Sequence, residues 1–553
     1  MSGNKKSALK WLAVNSRSVA AAVALLTVTG IAVAYVSTRF AVAAMYLLDS
    51  VTGKSQKSFS ECVINLAALL VLQLLLQMFY TLYDVRVRTE YKNLLQKNLF
   101  YTIITRDYLS ISKIHSGELI NRLTSDIETV YSNVIDIIPG TATLVSGVVF
   151  SFFTMLWLDW QLSLICLALG PVVMVCSAVY GRKMKGLYKD CRQSDGKIRS
   201  FMQECIQNII AVKSFCSEKK SLAAVRKLQH ENYKLNMKRG YISILVNIMY
   251  YLALTAAYYF AVAWCAYKIK AGIMTVGAFT AIVQLVGQIQ SPFRDVASVI
   301  PKYYATCASA ERIMEIEGIS SDADSGTSAK LPPESEFVKI SADGVNFSYG
   351  DEPVLRDVSF EVKKGEIAVL QGLSGIGKST LLKIILGIIK PTGGAVTLDF
   401  INSRLPADGG ARGLFAYVPQ GNLILSGSIR KNIAFFDDSA DDEKIISAAK
   451  NACIWDFICS LPDGLDTEIG ENGAGLSEGQ VQRIAIARAL YRGSPVILLD
   501  EATSALDEST EAQVLENIRK MKSKTCIIIT HKDAALKICD KFLKLSNGVL
   551  EIK

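Results

Sequence analysis

The sequence predicts two joined parts: a membrane α-helical bundle of six transmembrane helices with long cytoplasmic extensions, followed by an α/β domain with a largely parallel sheet. Three observations predict this. Half of the 553 residues are hydrophobic and only 20% are charged, against roughly 25% in an ordinary soluble chain. Apolar stretches near the ~20 residues that cross a bilayer recur six times before residue 300. Beyond residue 336, short β-like runs alternate with helical ones, the pattern of strands joined by crossover helices. This composition excludes disorder, collagen and low complexity, and the length excludes a single small domain.

The first element follows Lys5, Lys6, Lys10 and Arg17. Its apolar run, 19–48, is too long for the core of a secretory signal and reads as a retained span. Further spans are expected at 62–82, 134–157, 160–180, 242–267 and 273–299, with a tight turn near Asp159 between the third and fourth. The connections 49–61, 158–160 and 268–272 are short, whereas 83–133 and 181–241 are long, charged, helical in character and free of proline.

Charge follows the same alternation. Residues 1–318 hold 34 basic and 19 acidic residues, a net +15, while 319–553 hold 26 and 32, a net −6. Basic residues crowd the long connections, and the short ones hold only Lys54, Lys57, Lys268 and Lys270. By the positive-inside bias the N-terminus and both long connections are cytoplasmic, which six spans also require of the C-terminal part. A basic excess confined to the apolar half argues for a membrane face and against nucleic acid. Twelve scattered cysteines without a CxxC pair, and only three histidines, fit thiols in a reduced compartment and argue against zinc.

The expected domains are 1–318 in the membrane, a Ser-, Asp-, Gly- and Pro-containing linker at 319–336, and an α/β domain at 337–553. In the last, 367–370, 496–499 and 526–530 read as strands, and 379–387 and 479–492 as helices.

That domain carries the chemistry. Residues 372–380, GLSGIGKST, match the phosphate loop GxxxxGK[ST] between a strand and a helix. Gly372, Ser374, Gly375 and Gly377 belong to a turn whose N–H groups surround an anion at a helix N-terminus. Lys378 is placed for the β/γ-phosphates and Ser379 for Mg²⁺. The expected fold of this part is thus an α/β P-loop NTPase domain. A second strand, VILLDE, ends in Asp500, suited to the Mg²⁺ shell, and Glu501, suited as general base for an attacking water.

Together with LSEGQ at 476–480, SALD at 504–507 and His531 in ITHK, these motifs resemble the nucleotide-binding domain of ATP-binding cassette (ABC) proteins. Six spans ahead of one cassette are similar to an exporter-type half-transporter. The resemblance implies two cassettes docked head to tail around two ATP molecules with Mg²⁺. Tyr349 would stack on adenine, Thr380 would join the α-phosphate contacts, and Gln420 would approach Mg²⁺ and the attacking water. His531 would contact the γ-phosphate, and Ser477, Gly479 and Gln480 would serve the ATP held by the partner, with Asp507 at the subunit contact. Coupling helices resting on a cassette are expected near 108–117 and 208–217, meeting a loop at 467–473. Departures are Glu478 for the first glycine of LSGGQ, Gly421 after Gln420, and a short segment at 399–413.

The implied function is ATP-driven export across the plasma membrane by a dimer, with a homodimer sufficient because neither half-site is degenerate. An importer on the same fold and an ATP-gated channel are the alternatives. The clues to cargo are polar groups in or beside the spans, namely Arg39, Gln73, Gln77, Asp136, Asn247, Gln284, Gln288, Arg294 and Asp295, and an aromatic set from Tyr250 to Trp264. Mixed signs select no substrate class.

Overall fold

A computed structural model describes the backbone of residues 2–322, 332–421, 424–437, 439–470, 473 and 475–552. It describes their side chains except 2–6, 166–183, 185, 189, 250, 291–298, 300 and 334. Half of the expected linker, 323–331, therefore lies outside the described residues, as do the side chains of Tyr250, Arg294 and Asp295 and residues 471–472 of the expected coupling loop. The chain divides into two compact units, Met1–Tyr101 with Ser116–Gly318, and Thr102–His115 with Ile319–Lys553.

The first unit is helical. Helix α1 (Ser2–Asn15) precedes α2 (Ala20–Val51), α3 (Phe59–Thr105), α4 (Tyr108–Ser112), α5 (Ser116–Asn121), α6 (Ile127–Leu158), α7 (Trp160–Gln207), α8 (Ile209–Ser214), α9 (Glu218–Lys270) and α10 (Val276–Glu317). Of these, α4 lies in the second unit, which α3 enters at Thr102. Among the described residues, Arg17–Val51, Phe59–Thr105, Ser116–Leu158 and Glu218–Lys270 are long and apolar enough to cross a membrane. The expected fourth and sixth spans, in α7 and α10, run over side chains outside the described residues. Apolar side chains of α3 point outward along its length, among them Val71, Leu74, Leu75 and Met78, as a helix facing lipid requires.

Polar side chains tie the helix ends. Asp159 caps α7 by accepting from Leu162 N–H (3.2 Å), and also accepts from Lys268 Nζ (2.7 Å) and Trp264 Nε1 (3.1 Å). Asp49, buried on α2, accepts from Thr275 Oγ1 (2.9 Å) and Gly277 N–H (3.0 Å) at the start of α10. Of the expected polar groups, Gln288 accepts from Ser151 Oγ (2.8 Å), and Asp136 accepts from Arg88 Nη2 and Lys302 Nζ, both at 2.6 Å. Asp136, Arg88 and Lys302 line a cavity of about 440 Å³ with Gln77, Tyr80 and Thr141.

The second unit is a two-sheet α/β domain. Strands β1 (Phe337–Tyr349), β2 (Glu352–Lys363), β4 (Gly393–Phe400) and β5 (Arg404–Pro406) form an antiparallel sheet in the order β2-β1-β4-β5. The other main sheet runs β12-β11-β3-β10-β9-β6. It comprises β3 (Ile367–Gln371), β6 (Phe415–Val418), β9 (Val496–Asp500), β10 (Thr525–Ile529), β11 (Lys541–Ser546) and β12 (Val549–Ile552). All its pairings are parallel except β11 with β12. Every residue of β9 and β10 is buried, as expected of parallel strands covered on both faces. Short β7 (Gly427–Ser428) and β8 (Glu468–Ile469) pair separately, with helices α12 (Ile429–Ala434), α13 (Asp442–Asn451) and α14 (Trp455–Ser460) between them in the chain.

The segment Thr102–His115 is fastened to this domain. Asp107 N–H donates to Ser320 O (3.1 Å), and Asp322 N–H to Thr105 O (2.9 Å). Arg412 holds Asp322 (2.6 Å) and Gly387 O (2.7 Å). From α4, Leu109 packs on the core shared by both sheets, and the Tyr108 ring lies 5.4 Å from Lys383 Nζ.

Candidate active site

In a parallel sheet the chain leaves each strand at the same edge, so groups at the carboxyl ends of neighbouring strands converge. Strand β10 lies between β3 and β9. The end of β3 feeds the phosphate loop, the end of β9 is Asp500, and His531 follows β10 by two residues.

Helix α11 (Lys378–Ile385) begins at Gly377, whose φ is +110°. A Cβ there would stand 2.6 Å from Val354 Cγ1, so both the left-handed backbone and the close approach require glycine. Gly372, Ser374 and Gly375 form the turn before it, and Ser379 and Thr380 sit in the first turn of α11. Lys378 is buried, and its Nζ donates to two carbonyls of its own loop, Gly372 O (2.7 Å) and Leu373 O (2.9 Å). His531 Nε2 lies 3.4 Å from the same Nζ.

Glu501 stands beside them. Its φ is +52°, a strained setting for a residue with a side chain, costing of order 1–3 kcal/mol. Two backbone bonds hold it there, Glu501 N–H to Ile529 O (3.0 Å) and Ser504 N–H to Glu501 O (3.1 Å). Its carboxylate accepts from Gln420 Nε2 (2.7 Å) and lies 3.6 Å from His531 Nε2. Gln420, Glu501, His531 and Lys378 are thus linked in one constellation from four separate segments.

Asp500 is buried at 2% exposure. Burial pushes its carboxyl above the ordinary carboxylate range, and the Glu501 charge adds to this, while the Ser379 and Tyr417 hydroxyls and Lys383 pull the other way. Tyr417 donates to Oδ2 (3.3 Å), and Oδ1 is buried without a hydrogen-bond partner. A buried carboxylate oxygen left unpartnered beside a hydroxyl fits a hard divalent cation. Ser379 and Asp500 would hold it, with Gln420 near.

Tyr349 ends β1, exposed, with its ring edge-on to Phe347 at 4.8 Å and its OH 3.4 Å from Thr380 Oγ1. An exposed ring beside the phosphate loop suits base stacking. The LSEGQ residues lie at the N-terminus of α15 (Glu478–Arg492). Ser477 caps it, accepting from Gln480 N–H (3.3 Å), while Gln480 Oε1 accepts from Ser477 N–H (2.8 Å). A Cβ on Gly479 would meet Ala505 O at 3.0 Å. None of the described hydrogen bonds joins these residues to the phosphate loop. Asp507 caps α16 (Glu508–Lys520), accepting from Thr510 N–H (2.9 Å); the Ser509 hydroxyl, together with that N–H, holds its carboxyl below the usual range.

Sequence reasoning missed two supports of this site. Lys532 donates to Thr503 O (3.0 Å) and Leu506 O (2.7 Å), and its charge lies 3.3 Å from the fully buried Glu511. The other is Tyr417, two residues before Pro419 and three before Gln420.

Comparisons with known proteins address the family and the fold. Residues 20–293 match the family model for the ABC transporter transmembrane region, and 355–504 that for the ABC transporter domain. An "ATP-dependent lipid A-core flippase" of Chromobacterium violaceum is 32% identical over 465 residues, 82% of this chain and 78% of that protein. "ABC transporter B family member 1" of Dictyostelium discoideum is 31% identical over 83% of this chain and 50% of its own length. A solved structure of a bacterial Atm1-family ABC exporter with ATP bound shares the fold, with a TM-score of 0.76 at 24% identity over 97% of this chain and 94% of that one.

Proposed function

The chain belongs to the ABC transporter family as an exporter-type half-transporter and transport ATPase, and on that premise we propose that it works as a dimer, hydrolysing Mg²⁺·ATP at two sites shared between chains to export an amphiphilic substrate. The observation that carries the shared site is the self-contained capping of Ser477 and Gln480, which leaves the signature end of α15 free of its own phosphate loop.

In this reading the loop amides and Lys378 bind the phosphates of one ATP, and Ser477 and Gly479 of the second chain reach its γ-phosphate. A bound Mg²⁺ would neutralise charge on the β- and γ-phosphate oxygens. Glu501 takes the proton from a water attacking the γ-phosphorus, and Gln420 and His531 orient that carboxylate from either side. Closure of the cassettes would pass to the membrane helices through α4 and through α8, whose Ile210 and flanking Phe215 are both more than 80% exposed. Six spans, a cytoplasmic N-terminus and a cytoplasmic cassette in the plasma membrane complete the proposal.

The activity named for the bacterial relatives supports a lipid-like cargo. So does the cavity, where Arg88, Asp136 and Lys302 adjoin apolar Ile137 and Leu144. The test of assembly is complementation. Chains carrying Lys378→Ala and Ser477→Arg should each be inactive alone and regain ATPase when co-expressed and purified as a mixed dimer. A mixture that stays inactive refutes the shared site. Vesicle assays with a fluorescent lipid separate export from import by direction, and from a channel by the need for hydrolysis.

A further inference from the structure

Strand β6 contributes more than Gln420. Its Tyr417 pairs in register with Leu498 of β9, so Asp500, two residues further on, projects from the same face. The phenol reaches Asp500 Oδ2 at 3.3 Å. Oδ2 is thus engaged, while Oδ1 is buried without a hydrogen-bond partner.

Tyr417 shares a core with α4. It packs against the same core cluster as Leu109. Burial and Asp500 raise its pKa, and the phenol of Tyr108 adds to the rise, so the two rings are electrostatic neighbours. Lys383, one helical turn beyond Ser379 on α11, lies under the Tyr108 ring and draws on the Asp500 charge.

We infer that Tyr417 is a positioning residue that aims Asp500 Oδ1 at the nucleotide's divalent cation, and that it links occupation of that metal position to helix α4 through Tyr108 and Leu109. The inference rests on Asp500 as the metal-binding carboxylate. It adds a route to α4 separate from Gln420, whose side chain is engaged with Glu501.

The test uses the full chain in lipid nanodiscs, with Mn²⁺ and ATP as probes. Tyr417→Phe removes only the hydroxyl. Mn²⁺ affinity in the presence of ATP, read from the free-ion electron paramagnetic resonance signal, should weaken roughly three- to ten-fold, just below the usual range for a hydrogen bond to a charged group because 3.3 Å is long. ATP binding in EDTA should be unchanged. The Mg²⁺ concentration for half-maximal hydrolysis should rise by the same factor, with the rate at saturation within about twofold of the parent. In the parent, Mn²⁺ added to ATP should slow amide exchange at 108–112, and the variant should lose that difference.

Unchanged Mn²⁺ affinity, or a lower saturated rate with unchanged Mg²⁺ requirement, overturns the assignment. A parent whose 108–112 amides ignore Mn²⁺ overturns the link to α4, whether or not the variant folds. Asp500→Asn is the control: if it keeps parental Mn²⁺ affinity, the metal reading itself is at fault rather than the role of Tyr417.

Discussion

Replacing Glu501 by Gln separates proton acceptance from everything else that residue does. The amide keeps the length and shape of the side chain and the left-handed backbone at φ +52° is untouched. Gln420 Nε2, which donates to Glu501 Oε2 at 2.7 Å, retains a carbonyl to donate to. Lys378 meets the altered group only through His531 and makes its own hydrogen bonds to loop carbonyls, so ATP binding should remain within about twofold. The lost function is general-base catalysis, which contributes on the order of 10²–10⁴ in rate. Turnover should fall by that factor, equivalent to about 3–5 kcal/mol of barrier, and the variant should collect as an ATP-bound dimer. The assay is phosphate release under saturating Mg²⁺·ATP, with binding of a fluorescent ATP analogue and the size of the ATP-bound particle measured in parallel. Turnover at the parental rate would refute the assignment and move the base to His531 or to a water held by Gln420. Parallel loss of binding and turnover would show that Glu501 supports the architecture of the loop instead.

Three other outcomes follow from the same geometry. Lys378→Ala removes a charge-assisted phosphate contact and should weaken ATP binding itself, roughly ten-fold or more by equilibrium titration; an unchanged affinity would mean that Lys378 stays on its own loop carbonyls. Glu511→Ala leaves Lys532 and Thr503 Oγ1 without their carboxylate and should cost about 1–3 kcal/mol of cassette stability, read as a lower melting temperature; an unaltered melt would show the buried carboxylate to be dispensable. In a background otherwise free of cysteine, a thiol introduced at Ser55 should label from outside intact cells and one at Ser217 only after permeabilisation; the reverse pattern would overturn the six-span topology.

The parts of this molecule visible in the sequence are those written in consecutive residues. The phosphate loop is a local strand–turn–helix unit, and GLSGIGKST states its glycines, its lysine and its hydroxyls in order. The spans are visible because lipid selects apolar side chains along a whole helix. The parts not visible are contacts between distant positions. Asp136 is 48 residues from Arg88 and 166 from Lys302, and nothing in a run of isolated polar letters pairs them. Thr102–His115 joins the cassette unit although its composition is that of the long connection it interrupts, because its placement depends on Leu109 and on hydrogen bonds to 320 and 322. Tyr417 was hidden by its neighbour, since the motif draws attention to Gln420 and the value of the phenol depends on the register of two strands.

The fastening of Thr102–His115 has a practical corollary for biochemistry on fragments. A cassette expressed from residue 337 onward would lack the peptide that covers part of its own core, together with Asp322, the carboxylate partner of Arg412. Such a fragment begins with an uncovered apolar recess beside the strand that bears Tyr417, and it should self-associate more readily than the intact chain. Supplying a synthetic peptide spanning 102–115 should restore its solubility, and ATPase rates taken from the bare fragment would describe a wounded enzyme.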